Sequence, residues 1–157
     1  MSEQPLPGGR TRAALAGTPF AGSHETVCHL DLAPWNTILT ANRPTAFVDF
    51  DDAAPGPRTD DIAYLLWTFL DLGIAPVPPA VQALRLRLFC DAYTADSSVD
   101  ASALRADLLP ALNRQQHRIL AFRAAQPDAF SAQKHTEILT AIRWITTHAR
   151  TLARHLS

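Results

Sequence analysis

Apolar residues recur at helical spacing over most of the chain beyond residue 60, with polar positions between them. This spacing predicts amphipathic helices, because it places the apolar side chains on one face. The apolar faces are expected to form the core, and in the second helix this face carries Val81, Leu84, Leu88 and Phe89. We place four helices, from Asp60 or Asp61 to Leu72, from near Pro79, from about Asp100 to Ala125, and from Pro127 or Asp128 to Leu156.

Residues that end or interrupt helices support these boundaries. A carboxylate at Asp60 or Asp61 suits the N-cap of the first helix, where it accepts hydrogen bonds from the first-turn N–H groups. Gly73 suits the C-terminal end of the same helix, because glycine adopts the left-handed conformation at little cost. Pro110 lies within the third helix and is expected to kink or split it, since proline lacks an amide hydrogen.

The first 60 residues show a different pattern. Residues 1–25 are rich in Gly, Pro, Ser and Thr, which predicts a flexible N-terminal arm. Short runs of β-branched and aromatic residues predict strands at 26–29, 37–40 and 45–50. The whole pattern indicates one mostly helical α+β domain over residues 26–157, with a small β-hairpin near its start.

The composition is that of a single soluble domain. The chain has 157 residues, of which 47% are hydrophobic and 18% are charged, so a core can form without disulfides or structural metals. Cys28 and Cys90 match no zinc or paired-cysteine spacing. We therefore expect two buried thiols in a reducing compartment.

Net charge and hydropathy argue against binding to nucleic acid or an anionic membrane surface and against a membrane-spanning segment. A formal net charge of -1 gives no overall basic field for binding nucleic acid or an anionic membrane surface. The most apolar stretch, residues 62–70, is too short to span a bilayer, and no signal peptide opens the sequence. We expect a cytoplasmic protein whose binding site is local.

The candidate chemistry lies in two short blocks. The first, from His29 to Asn36, reads His-Leu-Asp-Leu-Ala-Pro-Trp-Asn, and Asp49-Phe50-Asp51 begins thirteen residues after its end. The first block fits the kinase catalytic-loop pattern His-x-Asp-Leu-x-x-x-Asn, in which the Asp accepts the substrate hydroxyl proton and the Asn holds magnesium. The second block stands where a kinase keeps its metal-binding aspartate. The two blocks occur in the same order along the chain as in a kinase.

A hairpin register offers a separate geometric argument. With Asn42 and Arg43 as the central turn residues, Asn36 lies opposite Asp49. Opposed side chains of an antiparallel pair lie about 5 Å apart at Cβ, a separation at which an amide oxygen and a carboxylate can share one hard cation. A slip of one residue would remove this pairing.

Acidic residues are concentrated just after the hairpin. Adjacent carboxylates repel one another unless a cation compensates, and Arg58 is expected to supply part of that compensation. Asp51 is interpreted as a contributor to a second metal site or to binding of a cationic substrate, with a solvated carboxylate as the alternative. Five of the 15 acidic residues fall within thirteen positions: Asp49, Asp51, Asp52, Asp60 and Asp61.

From about Thr26 to Leu72 the sequence resembles the aminoglycoside phosphotransferase and choline kinase superfamily of small-molecule kinases. The resemblance is weaker toward the C-terminus and is carried mainly by a phrase like Cys-His-x-Asp-Leu-Ala-Pro-x-Asn-Thr at residues 28–37. It implies a protein-kinase-like C-terminal lobe over residues 26–157, with the small hairpin carrying the catalytic loop. Further matching residues are 46–51, 55–58 and 61–64.

The resemblance also implies roles for individual residues. Asp31 would be the catalytic base, and Asn36 and Asp49 would be the magnesium ligands. Asp61 would support the catalytic loop, and His29 would brace it. The expected cofactors are Mg²⁺ and ATP or GTP, and the expected substrate is a small-molecule hydroxyl of the aminoglycoside or amino-alcohol kind.

The nucleotide-binding features of that superfamily are not found in the sequence. Only 28 residues precede His29, and they contain neither a Gly-rich phosphate motif nor a lysine, since the one lysine is Lys134. We expect the N-terminal nucleotide lobe to be absent and the isolated chain to be weakly active or inactive, because several phosphate-stabilising groups would be lost together.

Three interpretations remain open: a shortened or mis-started kinase gene, a kinase completed by a second chain that covers the missing lobe's face, and a degenerate member that binds a partner without catalysis. The binding interpretation predicts an apolar surface left exposed by the missing lobe, with Trp35, Leu39 or Phe47 partly uncovered.

Overall fold

The computed structural model describes residues 26–157. The flexible arm predicted for residues 1–25 lies outside the described residues. The predicted α+β, mostly helical character is confirmed. The elements are β1 (Val27–Cys28), a 3₁₀ turn (Pro34–Asn36), β2 (Thr37–Thr40), β3 (Arg43–Phe47), β4 (Ala54–Pro55), α1 (Arg58–Phe69), α2 (Pro79–Thr94), α3 (Ala101–Ala124) and α4 (Ala129–Leu156).

Two small antiparallel sheets hold the loop-rich first part of the described chain. β1 pairs with β4, so Val27 lies opposite Pro55 and Cys28 lies opposite Ala54. β2 pairs with β3 to form the predicted hairpin. β4 was not expected, because a two-residue strand of Ala and Pro carries no β-pattern. Its pairing places the segment before α1 beside the start of the candidate catalytic loop.

The hairpin turn lies one residue earlier than predicted. Ala41 and Asn42 occupy its centre, with positive φ angles of 49° and 62°. Two-residue hairpin loops of type I′ require positive φ at both central positions. Asparagine accepts this conformation readily, whereas Arg43, which the prediction placed in the turn, instead begins β3.

The shifted turn changes what faces Asn36. A register irregularity lies between Ile38 and Leu39, and at the open end the Val48 N–H donates to the Asn36 carbonyl at 3.0 Å. Asn36 therefore lies opposite Val48, and the predicted register that opposed Asn36 to Asp49 is wrong. Asp49 itself has a φ of 64°, so the strand's alternation does not extend to its side chain.

α1 begins before the predicted capping residues. Its N-cap is Pro57, and Asp60 and Asp61 lie in the first helical turn and not at the cap. Carboxylates in the first turn are favourable there, because they face the positive end of the helix dipole. The helix ends at Phe69 with Leu70 as C-cap, shorter than the predicted end at Leu72.

The four helices enclose the core of the described chain. α1 packs on α3, and α4 packs on both α2 and α3. Asp100 and Asp128 cap α3 and α4 with their side chains, and α3 continues unsplit through Pro110. None of the helices within residues 26–157 is both long and apolar enough to cross a membrane. The largest buried apolar side chains are Leu72, Leu86, Leu108, Leu112 and Leu152.

The predicted core face of α2 is wrong for three of its four residues. Val81, Leu84 and Leu88 are 40%, 55% and 70% exposed, and among the four residues of the predicted face Phe89 packs against the core. Apolar residues occur on both sides of this helix, so periodicity alone does not select the inner face. The helix instead buries Gln82, Ala83, Leu86 and Cys90, and Gln82 donates to the Leu70 carbonyl at 3.1 Å.

Gly73 brings the chain after α1 against α4. Its φ is +87°, and a Cβ atom there would lie 2.8 Å from the Ala141 Cα. We expect Gly73→Ala to lower the free energy of unfolding by about 2–4 kcal/mol, because backbone strain and steric overlap add together. Denaturant unfolding monitored by circular dichroism measures this.

The control is Gly56→Ala, where the new Cβ would meet the Cys28 side chain and no backbone atom, with Sγ at 3.3 Å and Cβ at 3.9 Å. A loss for Gly73→Ala no greater than that for Gly56→Ala would contradict the prediction.

Candidate functional site

Asp61 fixes the backbone just before Asp31. Its two carboxylate oxygens accept hydrogen bonds from the His29 and Leu30 N–H groups, each at 2.7 Å. Hydrogen bonds to an ionised acceptor are stronger than those between neutral groups. Leu30 has a φ of 63°, a conformation that a leucine adopts only when its surroundings hold it there. The two bonds to Asp61 supply that restraint.

His29 connects the loop to the end of the hairpin. The ring is buried, its Nε2 lies 2.9 Å from the Val48 carbonyl, and its Nδ1 accepts the Asp31 N–H at 3.3 Å. Since Nδ1 accepts, the ring proton belongs on Nε2, which then donates to Val48. The Phe50 ring packs on the imidazole with 4.4 Å between centroids.

Two arginines of α3 hold the same region from the other side. Arg118 donates to the Leu30 carbonyl, and Arg114 pairs with Asp60 at 2.7 Å. Sequence analysis did not find either residue, because no local pattern connects them to a loop more than 50 residues away. Arg58, which was expected to compensate the acidic residues, makes no ion pair within residues 26–157, and the cation on Asp60 is Arg114.

Asp31 and Asn36 lie in direct contact. The Asn36 side chain is buried, and its Nδ2 donates to the Asp31 carbonyl at 2.9 Å and to the Asp31 Oδ2 at 2.7 Å. Trp35 Nε1 donates to the same carboxylate oxygen at 3.4 Å. These contacts orient the Asp31 carboxylate and leave the Asn36 Oδ1 without a hydrogen-bond donor in the described part of the chain.

Asp49 and Asp51 lie on exposed chain after the hairpin. Neither carboxylate accepts a hydrogen bond from another described residue, Asn36 included. Over residues 26–157, no group of three or more His, Cys, Asp or Glu side chains lies close enough to hold a metal by itself. The structure thus brings Asp31, Asn36, His29 and Asp61 together, while Asp49 and Asp51 remain solvent-facing neighbours.

A cavity of about 440 Å³ opens beside Asp31. No local sequence pattern predicted this cavity, because its walls come from the candidate catalytic loop and from three helices that are far apart along the chain. Lys134 and Glu137 on its wall form an ion pair at 2.6 Å. Its aromatic side chains are those of Trp35, Tyr64, Trp67 and Phe130, and its charged side chains are those of Asp31, Asp71, Arg123, Lys134 and Glu137.

Tyr64 stands between Asp31 and the arginines of α3. Burial of the side chain, and then the neighbouring Asp31 carboxylate, raise the pKa of Tyr64 above its usual value, while Arg118 and Arg123 partly oppose this. The phenol therefore keeps its proton at neutral pH. A protonated hydroxyl beside a carboxylate is able to donate to it, which adds a third polar neighbour to Asp31.

Cys90 is a buried free thiol, as predicted, and so is Cys28, which lies beneath the loop. Its Sγ donates to the Pro57 carbonyl at 3.3 Å. Burial, followed by the charges of Asp61 and Asp60, raises the pKa of the Cys28 thiol to about 12. The thiol is thus protonated at neutral pH and has a packing role, since nucleophilic cysteines require a lowered pKa.

Most of the candidate site falls in a segment that is similar to a known family. Comparison with curated proteins and with solved structures gave no match. The model of the phosphotransferase enzyme family matches residues 9–95, more than half of the chain. This segment contains the catalytic-loop block, both exposed aspartates and Asp61, so the resemblance drawn from these motifs is confirmed. The chain belongs to the phosphotransferase enzyme family.

Proposed function

We propose that this protein takes part in ATP- and magnesium-dependent transfer of a phosphoryl group to the hydroxyl of a small molecule. The observation that carries the proposal is Asp31, an oriented carboxylate at the wall of a 440 Å³ cavity. Cavities of this size suit small molecules. Family membership supports the reaction class. The hydrogen bond that Asn36 donates to Asp31, and those that the His29 and Leu30 N–H groups donate to Asp61, support the position of the base.

Asp31 would accept the proton of the acceptor hydroxyl as that oxygen forms its bond to the γ-phosphorus. The bond between the γ-phosphorus and the bridging oxygen then breaks, and ADP leaves. Catalysis of this reaction depends mainly on positioning and electrostatic stabilisation. Asp61, His29 and Arg118 would contribute by holding the backbone from which Asp31 projects.

The oxygen donors near the loop fit magnesium. The Asn36 Oδ1 is not engaged by a described donor, and Asp49 and Asp51 add carboxylates on the adjoining segment. Amide and carboxylate oxygens are hard ligands of the kind that Mg²⁺ takes, often with only one or two carboxylates from the protein. Magnesium bound there would neutralise charge on the phosphate oxygens. The residues proposed to hold it are Asn36 and Asp49, with Asp51 as a further ligand or a contact for a cationic substrate.

A second candidate function is a catalytically inactive binding module of the same family. The hairpin favours it, because Trp35, Leu39 and Phe47 are 65%, 53% and 42% exposed, and exposed apolar patches often mark partner surfaces. A second chain covering this face would also be able to supply contacts to the nucleotide. A strictly monomeric protein by light scattering, with no binding of a hydrophobic dye, would count against this alternative.

The proposed function predicts measurable phosphate transfer. The full chain, incubated with γ-³²P-labelled ATP and magnesium, is expected to label at least one member of a panel of amino sugars, amino alcohols and hydroxy acids. The rate should be low, because the sequence carries no Gly-rich phosphate motif and its one lysine is Lys134. Removing magnesium with a chelator should stop the labelling, because the phosphate charge is then uncompensated. If no compound in the panel is labelled above the rate of ATP hydrolysis in water, the catalytic proposal fails and the binding module is favoured.

A further inference from the structure

Arg123 is a cation without an anionic partner on the cavity wall. It lies in the last turn of α3 and is partly buried. Its guanidinium carbon is 5.2 Å from the Phe122 ring centroid and 5.3 Å from that of Phe130. Within residues 26–157 it makes neither an ion pair nor a side-chain hydrogen bond. The rings position the guanidinium, but its five N–H donors remain available.

The other charges of the cavity are already engaged or solvated. Lys134 is paired with Glu137, and Asp31 accepts hydrogen bonds from Asn36 and Trp35. Asp71 is exposed to water in the turn after α1. A partly buried charge gains more from a partner than a solvated one, because less water screens the interaction. Arg123 is therefore a partly buried cation on the cavity wall that has no ion-pair partner among the described residues.

The position of Arg123 relates it to the proposed reacting carboxylate. Arg123, Tyr64 and Asp31 line the same cavity. Burial and then Asp31 raise the pKa of Tyr64, and the charge of Arg123 partly opposes this rise. The nearby Asp128 carboxylate caps α4, where it accepts the Ser131 N–H at 2.8 Å; this bond, with a smaller contribution from the charge of Arg123, lowers the pKa of Asp128. Asp128, like the other acidic residues of the described chain, makes no ion pair with Arg123.

We propose that Arg123 binds an anionic group, a carboxylate or a phosphate, on the molecule that receives the phosphoryl group. The inference rests on the proposed function, since it takes the acceptor to be the occupant of the cavity beside Asp31. A planar guanidinium binds either group through two parallel hydrogen bonds. The apolar body of the acceptor would lie among Trp35, Trp67 and Phe130. This narrows the acceptor to a hydroxylated organic acid, in contrast to the amino alcohols and amino sugars that the family resemblance implies.

Three probes that differ in one substituent test this assignment. 4-(Hydroxymethyl)benzoate, 1,4-benzenedimethanol and 4-(aminomethyl)benzyl alcohol share a ring and a hydroxymethyl group and are anionic, neutral and cationic. Trp35 and Trp67 line the cavity, so quenching of tryptophan fluorescence reports binding without ATP. We expect the anionic probe to bind the full chain about tenfold or more tightly than the neutral one, as for a charge-assisted contact. Arg123→Gln should remove this preference but leave binding of the neutral probe.

Matched variants test whether the preference for the anionic probe depends on Arg123 itself. Arg85→Gln changes an arginine that does not line the cavity, and it should retain the preference. The proposal is overturned if the neutral or cationic probe binds as tightly as the anionic one, if Arg123→Gln keeps the preference, or if no probe binds at about 10 mM, where even weak millimolar sites fill. Asp31→Asn should keep the preference for the anionic probe. If the full chain selects the anionic probe but transfers no phosphate, the anion site is supported and the proposed reaction fails.

Discussion

Replacing Asp31 by Asn is expected to lower kcat for phosphate transfer by about 10²–10⁴-fold, the usual contribution of a positioned general base. Asparagine keeps the shape of the side chain and is still able to accept the hydrogen bond from Asn36, so the loop should remain in place. It cannot take the hydroxyl proton. KM for the acceptor should change little, because the cavity is otherwise intact. Initial rates of ADP release on an acceptor found in the panel measure both quantities.

Asp52→Asn is the matched control for this experiment. Asp52 is an exposed carboxylate after the hairpin, and no described residue hydrogen-bonds to its side chain. The same chemical change at this position should leave kcat within about threefold, since exposed charges contribute little across solvent. A variant with Asn at position 31 that kept more than a tenth of the parent kcat would exclude Asp31 as the base.

Asp61→Asn is expected to lower the free energy of unfolding by about 2–4 kcal/mol, because it disrupts two hydrogen bonds to an ionised acceptor. The carboxylate accepts both the His29 and Leu30 N–H groups. An amide has one acceptor oxygen, and its NH₂ group would face the second N–H donor. The loop should therefore loosen before the helical core does, and hydrogen exchange at the His29 and Leu30 amides should accelerate.

The adjacent residue supplies the control for Asp61. Asp60→Asn removes the charge that pairs with Arg114, whose side chain is 44% exposed while that of Asp60 is 14% exposed. The change should cost about 1 kcal/mol, because the amide oxygen at position 60 is still able to accept from the partly solvated guanidinium. Denaturant unfolding of the two variants gives the comparison. Equal losses of stability, or unchanged exchange at the loop amides in Asp61→Asn, would show that Asp61 does not hold the loop.

The helices with one clear apolar face were predictable. In α4, Ile138, Ile145 and Leu152 follow helical spacing and are buried, because the opposite face is polar. The α2 prediction failed where that contrast is missing. Its Leu84 and Leu88 were assigned to the core, but the buried face carries Gln82 and three small or apolar side chains. Which face is buried depends on how α4 and α3 pack against this helix.

In the candidate site, contacts between residues close in sequence were predictable, and contacts between residues far apart in sequence were not. Asp31 and Asn36 are five residues apart, and one short block was enough to associate them. The position of the hairpin turn was predicted one residue too late, because the positive φ of Ala41 has no reliable sequence signal in a non-glycine residue. Arg118 and Arg123 depend on how α3 lies against the loop, which is a property of packing and not of any short motif.

The hydrogen bond from Arg118 to the Leu30 carbonyl bears on how the protein is divided for experiments. The segment that matches the family ends at residue 95, yet this arginine lies on a helix that begins at Ala101. A fragment trimmed to the family boundary would keep every residue of the motif and lose both arginines that anchor it. The smallest unit in which the loop has its full set of contacts thus extends well into the third helix, beyond the part of the chain that similarity alone identifies.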